Sequence, residues 1–195
     1  MIKLFLTSIV ILIGLTGCLT KELPQQKTYT LFANTNLAKD KPLTSQSIYV
    51  AKPQTLNSLN STKIFYTQKA YEFEAYALSK WSDTPSKMIQ NALTNVLANE
   101  NIYTFVTASK LKTKATVTIN SELINFKQII DKKNSYTLLQ LRLFVTLNNK
   151  TIAKEFNYKT LSKPTAYGAV ESFNQATTNL AQDVSQFIYN TIKER

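Results

Sequence analysis

Tyr136-Thr-Leu-Leu-Gln-Leu-Arg-Leu-Phe-Val-Thr-Leu147 places Leu139, Leu141, Leu143, Val145 and Leu147 on one phase, and Gln140, Arg142 and Thr146 on the other. A period of two over twelve residues is the pattern of a strand with one buried and one solvated face. Asn148-Asn149 follows, a pair suited to a tight turn between antiparallel strands. It leads into Thr151 to Thr160, where Ile152, Phe156 and Tyr158 are in phase. Upstream, Ala115 to Ile130 is long and extended. Val117 and Ile119 lie on one phase and Ile124 and Phe126 on the other, so a bulge or bend is expected near Ser121-Glu122. The three runs predict an antiparallel meander. Lys110, Lys112 and Lys114 alternate just before it. They are better read as protection of an exposed sheet edge than as a lipid headgroup site.

Further strands are expected at Thr28 to Ala33, Ser47 to Ala51 and Ile102 to Val106. Lys63 to Thr67 and Tyr71 to Ala77 form a hairpin joined by residues 68–70. Two helices are expected. The first spans about 83–99, with Asp83 as N-cap, Pro85 in the first turn, and Met88, Ile89, Ala92, Leu93, Val96 and Leu97 on its apolar face. Lys87, Gln90, Asn91, Thr94 and Asn95 form its solvated side. The second spans about 166–192, with Val170, Phe173, Thr177, Leu180, Val184, Phe187 and Thr191 at steps of three and four. That seam suits a helix laid across a sheet; a coiled-coil partner, and so a homo-oligomer, would use the same spacing. The fold class is α+β: an antiparallel sheet of about six to seven strands packed by two main helices.

Composition removes whole classes of function. The 195 residues contain no histidine. Ser-His-Asp, Cys-His and histidine-rich metal sites are therefore excluded. With three glycines, neither a dinucleotide fingerprint nor a phosphate-cradling loop can be assembled. The 12 acidic residues are scattered, so carboxylate-pair chemistry has no focus. A Ser-Lys dyad is the formal residue of the enzyme hypothesis. The chain is read as a non-enzyme with no cofactor and no metal. Its 44% hydrophobic and 18% charged residues describe a globular domain. The formal net charge of +11 suits contact with anionic lipid headgroups.

The N-terminus fixes the compartment. Lys3 precedes an apolar run from Leu4 to Ile13, about half the length needed to span a bilayer, and Leu15-Thr16-Gly17-Cys18 closes it. This looks like a bacterial lipobox, in which the cysteine after Leu-x-Gly is lipidated (palmitate among the acyl groups) and becomes the mature N-terminus; the competing reading is an ordinary signal peptide with an incidental cysteine. Cys18 is the only cysteine, so no disulfide can form after lipidation. The expected organisation is a signal peptide at 1–17, a lipidated N-terminus and tether at 18–27, and one periplasmic α+β domain at 28–195. Leu19 follows the cysteine where aspartate would favour inner-membrane retention, so the outer membrane is the expected home. Nucleic acid is not an expected partner of an exported, tethered chain.

Taken in order, the lipobox, Tyr29-Thr30-Leu31, Ile48-Tyr49-Val50 ending at Pro53, Ile64-Phe65-Tyr66, Tyr76, Trp81, Pro85 and the Ile89/Leu93/Leu97 helix face resemble the ABC-type transport auxiliary lipoprotein family, the PqiC-like lipoproteins. The resemblance covers essentially the whole mature chain and is most specific from Tyr66 to Leu97. Asp83-Thr84-Pro85 departs from it, since relatives often carry a more apolar, proline-rich turn there. The resemblance implies a lipid-anchored partner of an envelope ABC transporter that includes a permease, an ATPase and a mammalian-cell-entry (MCE) domain protein, and moves phospholipid or other apolar molecules between membranes. A structural assembly lipoprotein of another envelope complex is the alternative. Tyr76, Trp81 and Pro85 are the candidates for a docking corner; the competing reading has Trp81 filling the core between hairpin and helix.

Overall fold

A computed structural model describes residues 24–34, 44–109, 115–132 and 134–194. The lipobox, Cys18 and the three alternating lysines lie outside the described residues. Nine strands are found: β1 (Lys27–Tyr29), β2 (Ser47–Val50), β3 (Gln54–Thr55), β4 (Lys63–Thr67), β5 (Glu74–Trp81), β6 (Phe105–Thr107), β7 (Val117–Ile130), β8 (Ser135–Leu147) and β9 (Lys150–Leu161). The two main helices are α1 (Pro85–Asn99) and α2 (Ala166–Lys193). The α+β class holds.

The expected meander forms the backbone of the fold. β8 pairs antiparallel with β7 along its whole length and with β9 on its other side. All five apolar residues named on the β8 inner phase are at most 3% exposed. Asn148 and Asn149 both adopt positive φ, 51° and 61°. This left-handed pair matches the twist of the two strands it joins. The bend in β7 falls at Leu123/Asn125, slightly beyond Ser121-Glu122. Val117, Ile119, Ser121 and Leu123 point inward before it, and Phe126 and Gln128 after it. Ile124 is the residue spent on the phase change.

Two expectations about the sheet are corrected. Among the described residues it has nine strands, not six to seven, and it is mixed, not antiparallel. The second edge of β7 is covered in succession by β2, β3 and β4, all parallel to it. β6 adds in parallel to β2, β5 antiparallel to β4, and β1 in parallel to β5. Parallel partners arrive through crossovers and not through adjacent turns, so no local turn signal announces them. The first strand also stops at Tyr29. Beyond it, the Asn174 side chain of α2 accepts from Phe32 N at 2.6 Å and donates to Thr30 O at 3.3 Å, in place of a ladder partner.

Both helices pack on one face of the sheet. α2 lies over β8 and β9, and α1 rests against α2, β2 and β6. The α2 seam is therefore filled by the sheet. The N-cap of α1 is Thr84, not Asp83. Pro85 pushes the residue before it into the extended region, which is the N-cap conformation; Asp83 accepts instead from Thr84 N at 2.6 Å. Gln90, expected on the solvated side, is 3% exposed, and its amide donates to Val50 O at 2.9 Å.

Candidate docking corner and the open sheet face

Trp81 ends β5, with α1 beginning four residues later, and it is 1% exposed. Its ring lies 5.7 Å from Phe126 and 5.9 Å edge-on from Phe173, while Phe126 and Phe173 stack at 3.9 Å. Strand β5, strand β7 and helix α2 each contribute one ring, so Trp81 ties together three elements that are distant in sequence. Pro85 is also buried. The sequence candidates are thus split: Trp81 and Pro85 build the inside of the corner, and neither side chain is displayed for a partner to touch.

Tyr76 is half-buried, and its hydroxyl donates to Gln128 Oε1 at 2.6 Å. The Gln128 amide reaches Ser135 Oγ at 2.8 Å, Ser162 Oγ at 2.9 Å and Lys163 O at 2.7 Å. Gln128 is fully buried, and this network holds the end of β7 to the start of β8 and to the connection between β9 and α2. Burial, and then the neighbouring Tyr66, push the Tyr76 phenol up to about 12, so it stays a neutral donor. Tyr66 itself lies 4.6 Å away ring to ring and donates to Glu74 at 2.6 Å, which raises its own phenol. Sequence reading missed Gln128. Its signal was a polar residue on the same phase as Phe126, which marks a buried group in need of partners.

The sheet face opposite the helices is open. At its centre Arg142 reaches Glu122 and Glu155, each at 3.1 Å. Gln140 donates to Glu155 at 2.7 Å, and Asn157 at 3.2 Å. These hydrogen bonds, more than the arginine charge, hold the Glu155 carboxyl below its ordinary value. Toward the β4–β5 loop the same face becomes aromatic and basic. Phe65 and Phe73 stack at 4.3 Å, Lys127 lies over Phe73 at 6.0 Å, and Lys159 sits 3.9 Å over Tyr136. Tyr71 in the loop is fully exposed and Leu161 is 80% exposed. An open groove of about 520 Å³ lies here, between the loop and the β7–β8 turn. Among the described residues, no group of three or more acidic or cysteine side chains is arranged to hold a metal, and no helix is long and apolar enough to cross a membrane.

The comparisons agree with this architecture. A family model described as the ABC-type transport auxiliary lipoprotein component matches residues 29–185. The chain is similar to protein XCC0632 from Xanthomonas campestris, of the family DUF330: TM-score 0.76, 15% identity, covering 86% of this chain and 97% of that one. A second crystal structure, titled only as an uncharacterized protein, has TM-score 0.67 at 13% identity, covering 84% of this chain and 99% of that one. At these identities the structural likeness speaks for the fold alone. No curated protein matches the sequence.

Proposed function

Because the chain belongs to the ABC-type transport auxiliary lipoprotein family, we propose that it is the lipid-anchored subunit that docks or assists an MCE-type ABC transporter moving phospholipid or other apolar molecules between membranes. Family membership carries an association with ABC transport and a place in the cell envelope. The finer reading rests on the N-terminal sequence. Residues 1–17 are removed, Cys18 carries the lipid, residues up to 27 are the tether, and 28–195 form the domain. Leu19 directs it to the outer membrane.

The chain works by binding. It lacks histidine, and the candidate corner is occupied by structural packing around Trp81 and the Gln128 network. Transport chemistry then belongs to the permease and ATPase, while this subunit holds the MCE protein at the membrane or passes lipid there. The observation that carries the reading is the family match over residues 29–185.

The test is purification of the lipidated protein from gently solubilised membranes, with mass spectrometry of what accompanies it. Recovery of an MCE protein with a permease and an ATPase is expected. Recovery of an unrelated envelope complex without them would overturn the transport reading in favour of a structural assembly role. Separately, palmitate labelling is expected to mark the wild type and to vanish in Cys18→Ser.

A further inference from the structure

Followed back from β1 toward the N-terminus, Lys27 and Gln26 head for the aromatic, basic end of the open sheet face. β1 runs parallel to β5, with Lys27 opposite Ser79 and Tyr29 opposite Trp81. Moving toward the N-terminus therefore moves back along β5, toward Glu74 and the β4–β5 loop. Gln26 keeps that heading, its amide donating to Ala77 O at 3.2 Å. From Ser79 to Glu74 is five residues, roughly 17 Å of strand. The nine residues from Cys18 to Lys27 can span up to about 30 Å. A lipid on Cys18 can thus lie beyond the tip of the loop, at the same end as Tyr71.

That end also has the chemistry of a bilayer interface. Tyr71 and Phe73 are exposed aromatics, and Tyr71 stands out on a backbone with φ of 70°. The nearby carboxylates are engaged: Glu72 with Lys69 at 3.3 Å, Glu74 with Tyr66, and Asp131 with Asn134 N at 2.6 Å. Lys127, Lys132 and Lys159, by contrast, pair with no carboxylate among the described residues. Lys127 and Lys159 rest on aromatic faces instead. Amphipathic rings beside unneutralised lysines match the boundary between acyl chains and anionic headgroups.

We propose that the β4–β5 loop is a second membrane contact, in which Tyr71 and Phe73 enter the headgroup region of an anionic phospholipid bilayer and Lys127, Lys132 and Lys159 meet its phosphates. The inference rests on the lipid-anchor reading and deepens it. The anchor holds the domain near the membrane, and the loop sets which way it faces. Two attachments at one end orient the long axis of β7–β9 away from the bilayer.

The experiment uses the mature lipidated protein in vesicles of phosphatidylglycerol with brominated acyl chains, which quench tryptophan on contact. Tyr71→Trp reports on the loop. Ala153→Trp reports on the far end of β9, eight residues and about 26 Å from Leu161. Wild type, with Trp81 buried, supplies the background. The Tyr71→Trp emission is expected to shift to the blue and lose half or more of its intensity, with Ala153→Trp unchanged. Each lysine near an anionic surface strengthens contact roughly fivefold. Neutral phosphatidylcholine vesicles, or Lys127→Gln with Lys159→Gln, should therefore weaken the quenching severalfold. An unquenched Tyr71→Trp on protein that floats with the vesicles overturns the proposal while leaving the anchor intact. Failure to float refutes the anchor reading itself. A blue shift that follows protein concentration and ignores bromine assigns the loop to a second copy, and also overturns the proposal.

Discussion

Replacing Trp81 by alanine removes a ring that is 1% exposed and touches Phe126 and Phe173. Such a side chain buries about 150–250 Å². At about 25 cal/mol per Å², that corresponds to an upper bound of ~4–6 kcal/mol. Buried tryptophan-to-alanine changes cost about 3–5 kcal/mol, cavity included. For a domain of this size each kcal/mol moves Tm by roughly 2–4 °C, so a fall of about 10–15 °C is expected. Trp81→Phe keeps a ring against both neighbours and should cost about 1–2 kcal/mol. Thermal unfolding followed by far-ultraviolet circular dichroism reads both, since the only tryptophan is the one removed. Trp81→Phe should also retain the co-purifying partners. A Tm loss below about 3 °C for Trp81→Ala would refute the assignment of this ring to the core. Normal stability with lost partners would return Trp81 to the docking role.

Gly168 leaves no room for a side chain: a Cβ there would meet Lys163 O at 2.5 Å and Lys163 N at 2.9 Å. Gly168→Ala is expected to cost about 1–3 kcal/mol in urea unfolding, despite alanine's better helix propensity. Asn149 has φ of 61°; Asn149→Gly should raise stability by a few tenths of a kcal/mol, and Asn149→Val should lower it by about 1–3 kcal/mol. Glu100 is half-buried at the end of α1, and burial raises its carboxyl above the ordinary 4.5 despite the hydrogen bond donated by Ser185. The folded state therefore favours the protonated form, and stability falls as pH rises above 4.5 through the raised value. Glu100→Gln should melt above wild type at pH 7, with the gap closing at pH 4; an equal gap at both pH values would show that the carboxyl charge is not the cause.

How much of this was legible in advance depended on whether a signal was local. The inner phase of β8, the turn at Asn148-Asn149 and the apolar faces of both helices are repeats that a few neighbouring residues declare, and they appear where expected. The identity of the polar exceptions was less accessible. Gln90 looks solvated on a helical wheel, but it is buried where α1 packs on β2, and its amide donates to Val50 O there. Gln128 sits in an apolar phase because four groups from three separate segments converge on it. Only packing supplies those partners. For the corner, the sequence marked Tyr76, Trp81 and Pro85 as one neighbourhood but not which of them faced out.

By itself, then, the sequence determined the α+β class, the β8 ladder and its turn, the two helices and the family resemblance. It also carries the lipobox pattern at Cys18. These depend on periodicity, turn chemistry and contiguous motifs, all encoded within a few residues of one another. Tertiary structure decided that β2, β3 and β4 line the second edge of β7 in parallel, that Trp81 closes a three-ring core, and that β1, followed back to Lys27, heads toward the Tyr71 loop. The reason is physical. A parallel edge, a ring cluster and a strand's heading are each completed by residues tens of positions away, which a one-dimensional pattern does not bring together.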